Sequence, residues 1–536
     1  MKTIIILNYK ILYTIAFILS LSTSAQTQVY FNQIDNFLFQ NGSATGVVET
    51  EDFYFGVGFV NTFIDSTLAT GSYIVKLDKS GEVVDTYSFI DSTLQITHEF
   101  ARPNIQLLED DNLLMTGIDV DGAAIYPFVM KLDQEGEVIF KTILDSEYGG
   151  QSRDFNQAHI VFDNGDIIVS TICTRDDKED YPFFDICLFK LDKSGNLIWH
   201  EMLQDPNHGE SVANMQILQN GNVVLFGGKD KPRFTTQGWL TITEIDSSGQ
   251  LLSQFKTTTD EVSVDNKGTR DANGNMIIAS AERVPLSNLT WYEDPFLIKF
   301  DKDHRTLWKK FLVETENDKE PGNFFSDLIK LDEPANYLAA GGYHIGRPDD
   351  PNQDFSDNHG LLLKFNTDGE VIWQRNHQFF LDEVHVDFHF FRQVIQTDDG
   401  GFLACGQAED RDSSPTEVPI RQFSWFVKTD EYGCLVPGCQ DLVNIAEATA
   451  SKTTLKIYPN PVADILYASF STELNIKQGA QLHISSNSGQ LIKTYDISHQ
   501  ESNLSIDVSS LPQGSYFVSI VADGMAVVTE LMVKVN

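Results

Sequence analysis

The chain has 536 residues, 77 of them acidic against 38 basic, and a formal net charge of −39. Its 41% apolar and 21% charged content describes a folded protein, and its length exceeds the roughly 250–300 residues over which one hydrophobic core grows. So large an acidic excess repels phosphate backbones and anionic lipid, which argues against nucleic acid and leaves cations or basic partners open.

Lys2 and Lys10 flank a short apolar stretch, and Ile11 to Leu21 follows as a run below the ~20 residues a spanning helix needs. Thr23 and Ala25 then stand at −3 and −1 of a cut before Gln26. This layout predicts a secretory signal peptide over residues 1–25, cleaved between Ala25 and Gln26. No Cys follows the cut and no later run of 18 apolar residues exists, so the mature chain is expected to carry neither a lipid anchor there nor a membrane span.

A phrase then recurs: an apolar pair around a Lys, an acidic residue, Gly five places after the Lys, and an apolar strand. It reads IVKLDKSGEVV at Lys76, VMKLDQEGEVIF at Lys131, LFKLDKSGNLIW at Lys190 and ITEIDSSGQLL around Glu244. It continues as LIKFDKDHRTLW at Lys299, LLKFNTDGEVIW at Lys364 and FVKTDEYGCLV at Lys428, at intervals of 55, 59, 54, 55, 65 and 64 residues. A strand ends at the Asp or Asn, and Gly supplies the positive φ of the tight turn. His304 replaces Gly in the fifth copy; histidine is among the residues that enter this region more readily than most. The aromatics after the turn (Phe140, Trp199, Trp308, Trp373) are expected to pack between neighbouring units.

A second turn lies upstream of each Lys position, as in Asp163-Asn-Gly165, Asn220-Gly221, Asn273-Gly274 and Asp399-Gly-Gly401. Each opens a short strand of small and apolar residues. Four short strands in about 55 residues, repeated seven times without helical periodicity, predict an all-β fold: a seven-bladed β-propeller over residues 27–439. The last copy loses its fourth strand at CLVPGC, and Gln28–Asn32 (QVYFN), aligned with the VIWQ strand, is expected to replace it. This array resembles the secreted β-propeller proteins of Bacteroidota, in which LDxxG blades precede a sorting domain. The quinoprotein phrase LDxxxGxxxW has one more residue than Leu191-Asp192-Lys-Ser-Gly195, and no copy has the sialidase Ser-x-Asp-x-Gly order, so neither activity carries over.

Five cysteines suit an oxidising compartment. Cys434 and Cys439 flank a turn, Cys173 and Cys187 bracket a polar loop, and both pairs are disulfide candidates; Cys405 is left as a small buried hydrophobe.

Residues 440–452 read as a linker, and residues 453–536 as a small immunoglobulin-like β-sandwich. Its markers are Tyr458-Pro459-Asn460-Pro461 with Asp464 and Leu466, Val508-Ser509 with Leu511, Gly514 and Tyr516, and Lys534 near the end. This segment resembles the type A sorting domain of type IX secretion substrates. The resemblance implies passage through the periplasm, handling by the type IX machinery, and release or attachment at the outer cell surface.

No nucleophile elbow, P-loop or dinucleotide fingerprint appears. The aspartates of the LDxxG phrase are read as turn caps rather than calcium ligands. His385, Asp387 and His389 alternate along a strand and form a candidate Zn²⁺ or Ca²⁺ site; no other cofactor is expected. His98-Glu99, Arg153-Asp154, His208 with Glu210, and Asp318 with Glu320 occupy corresponding positions at one rim. The resulting expectation is a non-enzymatic exported binding protein for a glycan or protein ligand. The alternative is a polysaccharide hydrolase or lyase using rim carboxylates.

Overall fold

The computed structural model describes residues 30–35, 41–64, 67–91, 104–121, 124–144, 158–174, 184–205, 208–230, 238–257, 266–285, 291–312, 323–345, 357–379, 386–411, 421–435, 439, 455–470, 481–486, 491–497, 503–522 and 525–535. The predicted signal peptide, with Ala25 and Gln26, and the linker 440–452 lie outside them. The described elements are all β-strands, and among the described residues no helix is long and apolar enough to cross a membrane.

The repeated phrase folds as one local device. At the third copy, Asp192 Oδ1 accepts from the amides of Ser194 (2.8 Å) and Asn196 (2.9 Å), while Gly195 N donates to Asp192 O. Gly195 sits at φ +84°, where a Cβ would be strained. The same carboxylate-to-amide pair recurs at Asp78, Asp133, Asp246, Asp301 and Asp430, and Asn366 makes it with its amide oxygen. These side chains cap their own turns.

In five copies the Lys of the phrase reaches across its sheet to the other turn. Lys190 pairs with Asp166, Lys131 with Asp110, Lys299 with Asp271, Lys364 with Glu333 and Lys428 with Asp399. In the fourth copy the polarity is exchanged: Glu244 accepts from Asn222 Nδ2 at 2.6 Å. Lys428 is fully buried, so its partner carboxylate is needed to offset lost hydration.

Strands group in fours, the makeup of propeller blades. Residues 104–143, 158–203, 209–256 and 267–311 each form a separate antiparallel sheet with strands in chain order. A 12-stranded sheet holds the groups 324–377, 386–429 and 41–91. They are joined in a row through single parallel contacts, Asn358 opposite Phe388 and Asn41 opposite Gln422. The group 386–429 has only three strands of its own, and Phe31–Asp35 adds the fourth, antiparallel to Arg421–Thr429. Phe31 stands opposite Lys428 just as Trp199, Trp308 and Trp373 stand opposite Lys190, Lys299 and Lys364. That is the register expected from VIWQ; residues 28 and 29 lie outside the described residues.

Each outer-strand aromatic covers the turn of the next group. A Cβ added to Gly136, Gly195, Gly249, Gly369 or Gly433 would run into Tyr87, Phe140, Trp199, Trp308 or Trp373 respectively, and one on Gly81 into Phe31. Where His304 replaces Gly, its ring stacks on Phe255 with centroids 4.6 Å apart. The apolar cores are shared likewise. One cluster joins Phe55 and Ile74 to Ile105 and Phe128. Another joins Phe31, Tyr54 and Val75 to Leu403, Cys405 and Phe426, packing the last group on the first.

Near the C-terminus, Leu455–Tyr458, Ile465–Phe470 and Asn503–Asp507 form one sheet, and Leu491–Asp496, Gln481–Ser486, Gly514–Ala522 and Met525–Lys534 another. Leu466, Ile484, Val518 and Met532 share their core. Asp507 caps the turn at Ser509, and the buried Tyr516 donates its hydroxyl to Pro512 O at 2.8 Å.

Candidate functional site

Of the residues singled out at the rim, His208 and Glu210 fall in described structure, and a cleft opens beside them. Its volume is about 430 Å³. One wall is the outer strand of group 158–203 and the residues that follow it, with Glu201, Met202, Leu203, Gln204 and Asp205 lining the space. The facing wall comes from group 209–256 and includes Glu210, Lys229, Gln250 and Gln254.

Lys229 organises this cleft. It continues a buried apolar strand and is itself only 5% exposed, so its ammonium needs a full set of acceptors. It has them: Asp205 Oδ2 at 2.8 Å, Glu210 Oε1 at 2.9 Å and Gln254 Oε1 at 2.9 Å. Burial works to lower its pKa, but the bonds to Asp205 and Glu210 overcome this and raise it. Gln254 Nε2 closes the network by donating to Glu210 and to Thr243, each at 3.0 Å. His208 Nδ1 lies 2.9 Å from Asp205 Oδ2, and its ring meets Trp239 edge-on at 5.1 Å. Lys256 covers the other ring contact, its ammonium 4.2 Å from the Trp239 centroid. On the opposite wall Glu201 accepts one bond from Gln250, at 3.2 Å.

Sequence reasoning reached Glu210 and His208 but not Asp205, Lys229, Glu201 or Gln254. One signal was present: Lys229 and Asp230 directly extend the apolar strand VVLFGG, and a charge there demands a partner.

Of the expected metal ligands His385, Asp387 and His389, only His389 has a described side chain. His385 lies outside the described residues. Asp387 is in the strand Val386–Gln396, its backbone opposite Asp410, and nothing further is described of its side chain. His389 is buried at 1% exposure, with its ring edge-on to Trp425 at 5.3 Å. Alternation along the strand does not turn His389 to solvent, because Phe390 and Phe391 beside it are buried as well. Among the described residues no group of three His, Cys, Asp or Glu side chains could hold a metal ion. His98, Glu99, Arg153, Asp154, Asp318 and Glu320 lie outside the described residues.

Both cysteine pairs are joined. Cys173 and Cys187 lie diagonally across adjacent antiparallel strands with Cα atoms 5.9 Å apart, and Cys434 and Cys439 close a short loop at 5.7 Å. Cys405 is a buried free thiol whose pKa burial pushes well up.

Residues 456–534 match the family described as secretion system C-terminal sorting domain. This segment is a sorting domain. The sorting domain implies export, handling by the type IX secretion machinery, and a destination at the cell surface or in the medium. No curated protein matches the chain. Among solved structures it is similar to the polysaccharide lyase Uly1, at 9% identity and a TM-score of 0.43, covering 76% of this chain and 95% of that one. It is similar to the Trypanosoma rangeli sialidase in complex with the inhibitor DANA, at 9% identity and a TM-score of 0.40, covering 85% and 86%. A Dyadobacter fermentans protein of unknown function matches at 13% identity and a TM-score of 0.38, covering 63% and 99%. At such scores these likenesses assign no activity to the chain.

Proposed function

We propose that this is an exported binding protein of a Bacteroidota cell. A signal peptide over residues 1–25 takes it to the periplasm. A closed seven-bladed propeller over residues 27–439 carries the ligand site. Residues 440–452 link it to an immunoglobulin-like sorting sandwich over 453–536. Closure is supported by the contacts of the last group with the first: Phe31 on Gly81, and the Tyr73 hydroxyl on Ser424.

The observation that carries the function is the cleft at Lys229. Lys229, Asp205 and Glu210 bind one another, which suits holding a ligand in a fixed frame. A glycosidase or lyase mechanism would instead need a carboxylate pair free to give and take protons; Asp205 and Glu210 are both committed to Lys229.

Screening the mature protein against glycan and peptide arrays, in parallel with a polysaccharide-degradation panel, tests this reading. Saturable binding without turnover is expected, and measurable depolymerisation would sink it. Deleting residues 453–536 should abolish surface export, and export that persisted would remove the sorting role.

A further inference from the structure

We propose that the cleft between groups 158–203 and 209–256 takes an extended basic polypeptide segment, with a lysine or arginine side chain seated against Glu201, Asp205 and Glu210. This rests on the reading of the chain as a binding scaffold and names the ligand of that scaffold.

Charge decides first between anion and cation. Among the described residues the lining contributes three carboxylates, Glu201, Asp205 and Glu210, against one ammonium, Lys229, an excess of two negative charges. Lys229 cannot serve an anionic ligand, because its three N–H donors are already spent on Asp205, Glu210 and Gln254. Glu201 accepts from Gln250 through one oxygen only, and a carboxylate has about four acceptor sites, so it has capacity for an incoming donor. The net charge of −39 would steer a basic partner towards the protein at low salt.

Shape then decides between peptide and sugar. Neutral sugars stack their C–H faces on exposed aromatic rings, and among the described residues no aromatic side chain lines this cleft. Trp239, close by, is buried and already met by His208 and Lys256. Among the described residues the wall strand Leu197–Leu203 is the edge of its sheet, paired only with Phe184–Leu191. An extended peptide finds main-chain donors and acceptors along such an edge, and pockets for alternate side chains set its specificity. Met202, Leu203 and Leu251 supply apolar surface for the stem of a long basic side chain.

Fluorescence polarisation of the full mature chain tests this with three labelled probes: blocked (Lys-Val)3, blocked (Glu-Val)3 and a neutral hexasaccharide. The lysine peptide should bind, and rising salt should weaken it. Glu201→Gln should weaken it about fivefold, the scale of one half-buried ion pair. Glu135→Gln removes the same charge from an exposed turn elsewhere and should change nothing. Equal binding of both peptides, or equal losses in the two variants, would overturn the proposal. Hexasaccharide binding that survives Glu201→Gln would overturn it too while leaving the scaffold reading intact. Silence from all three probes refutes the basic-peptide ligand, and the wider arrays then decide the scaffold reading separately.

Discussion

Phe31 lies on Gly81: a Cβ built on that glycine would sit 2.6 Å from the ring's Cγ. The two residues belong to opposite ends of the repeat array, so the contact ties the last group of strands to the first. Trp425 secures the same strand by donating from Nε1 to Asn32 Oδ1 at 2.6 Å. Phe31→Ala should therefore destabilise the protein by about 3–5 kcal/mol, the range for emptying a buried phenylalanine site. Gly81→Ala should cost about 1–3 kcal/mol, from its φ of +88° alone. Guanidinium unfolding reads both, and an unchanged midpoint in Phe31→Ala would mean that the added strand does not close the array.

Lys428, paired with Asp399, is the most deeply buried of the repeated lysines. Burial would raise the Asp399 pKa, but hydrogen bonds from Thr397 and Lys428 win and hold it below the ordinary range. Lys428→Met, which strands that carboxylate, should cost about 3–5 kcal/mol. Lys131→Met should cost under about 1 kcal/mol, because its partner Asp110 is largely exposed. Similar losses at the two sites, measured by urea unfolding, would contradict burial as the deciding variable.

His377 is buried beside Phe391, and burial, with Arg375 adding to it, pushes its pKa down to about 4. The unfolded chain binds this proton near pH 6.5, so it takes up protons before the native state does. Stability from this group is thus full above about pH 6.5 and falls as pH drops towards about 4. At pH 5 the loss is about 2 kcal/mol, from 1.36 kcal/mol per unit over about 1.5 units. His377→Asn should flatten the change in unfolding midpoint between pH 7.5 and 5, and an unaltered pH slope would exclude His377 as its source.

The Cys173–Cys187 bridge closes a loop of sequence separation 14 and the Cys434–Cys439 bridge one of 5. Loop-entropy scaling gives losses of about 3 and about 2 kcal/mol for the paired Cys→Ser variants. Peptide mapping without reductant should recover both bridged pairs and a free Cys405. Recovery of either pair as thiols would remove the corresponding prediction.

The turn chemistry was legible in the sequence because it closes within five residues. Asp192 caps the amides of Ser194 and Asn196, and Gly195 supplies the positive φ, so the phrase carries its own geometry wherever it recurs. Its spacing likewise foretold groups of four strands, the Phe31 strand and the aromatic-on-turn contacts. The cleft was not legible beyond His208 and Glu210. Glu210 and Lys229 stand opposite each other on paired strands, Gln254 lies on the outer strand of the same sheet, and Asp205 comes from the neighbouring group. Strand pairing and the packing of two groups together bring these polar atoms within 3 Å. Local hydrogen bonding thus sets the repeat, while desolvation between neighbouring groups decides where charge must gather and where a ligand finds room.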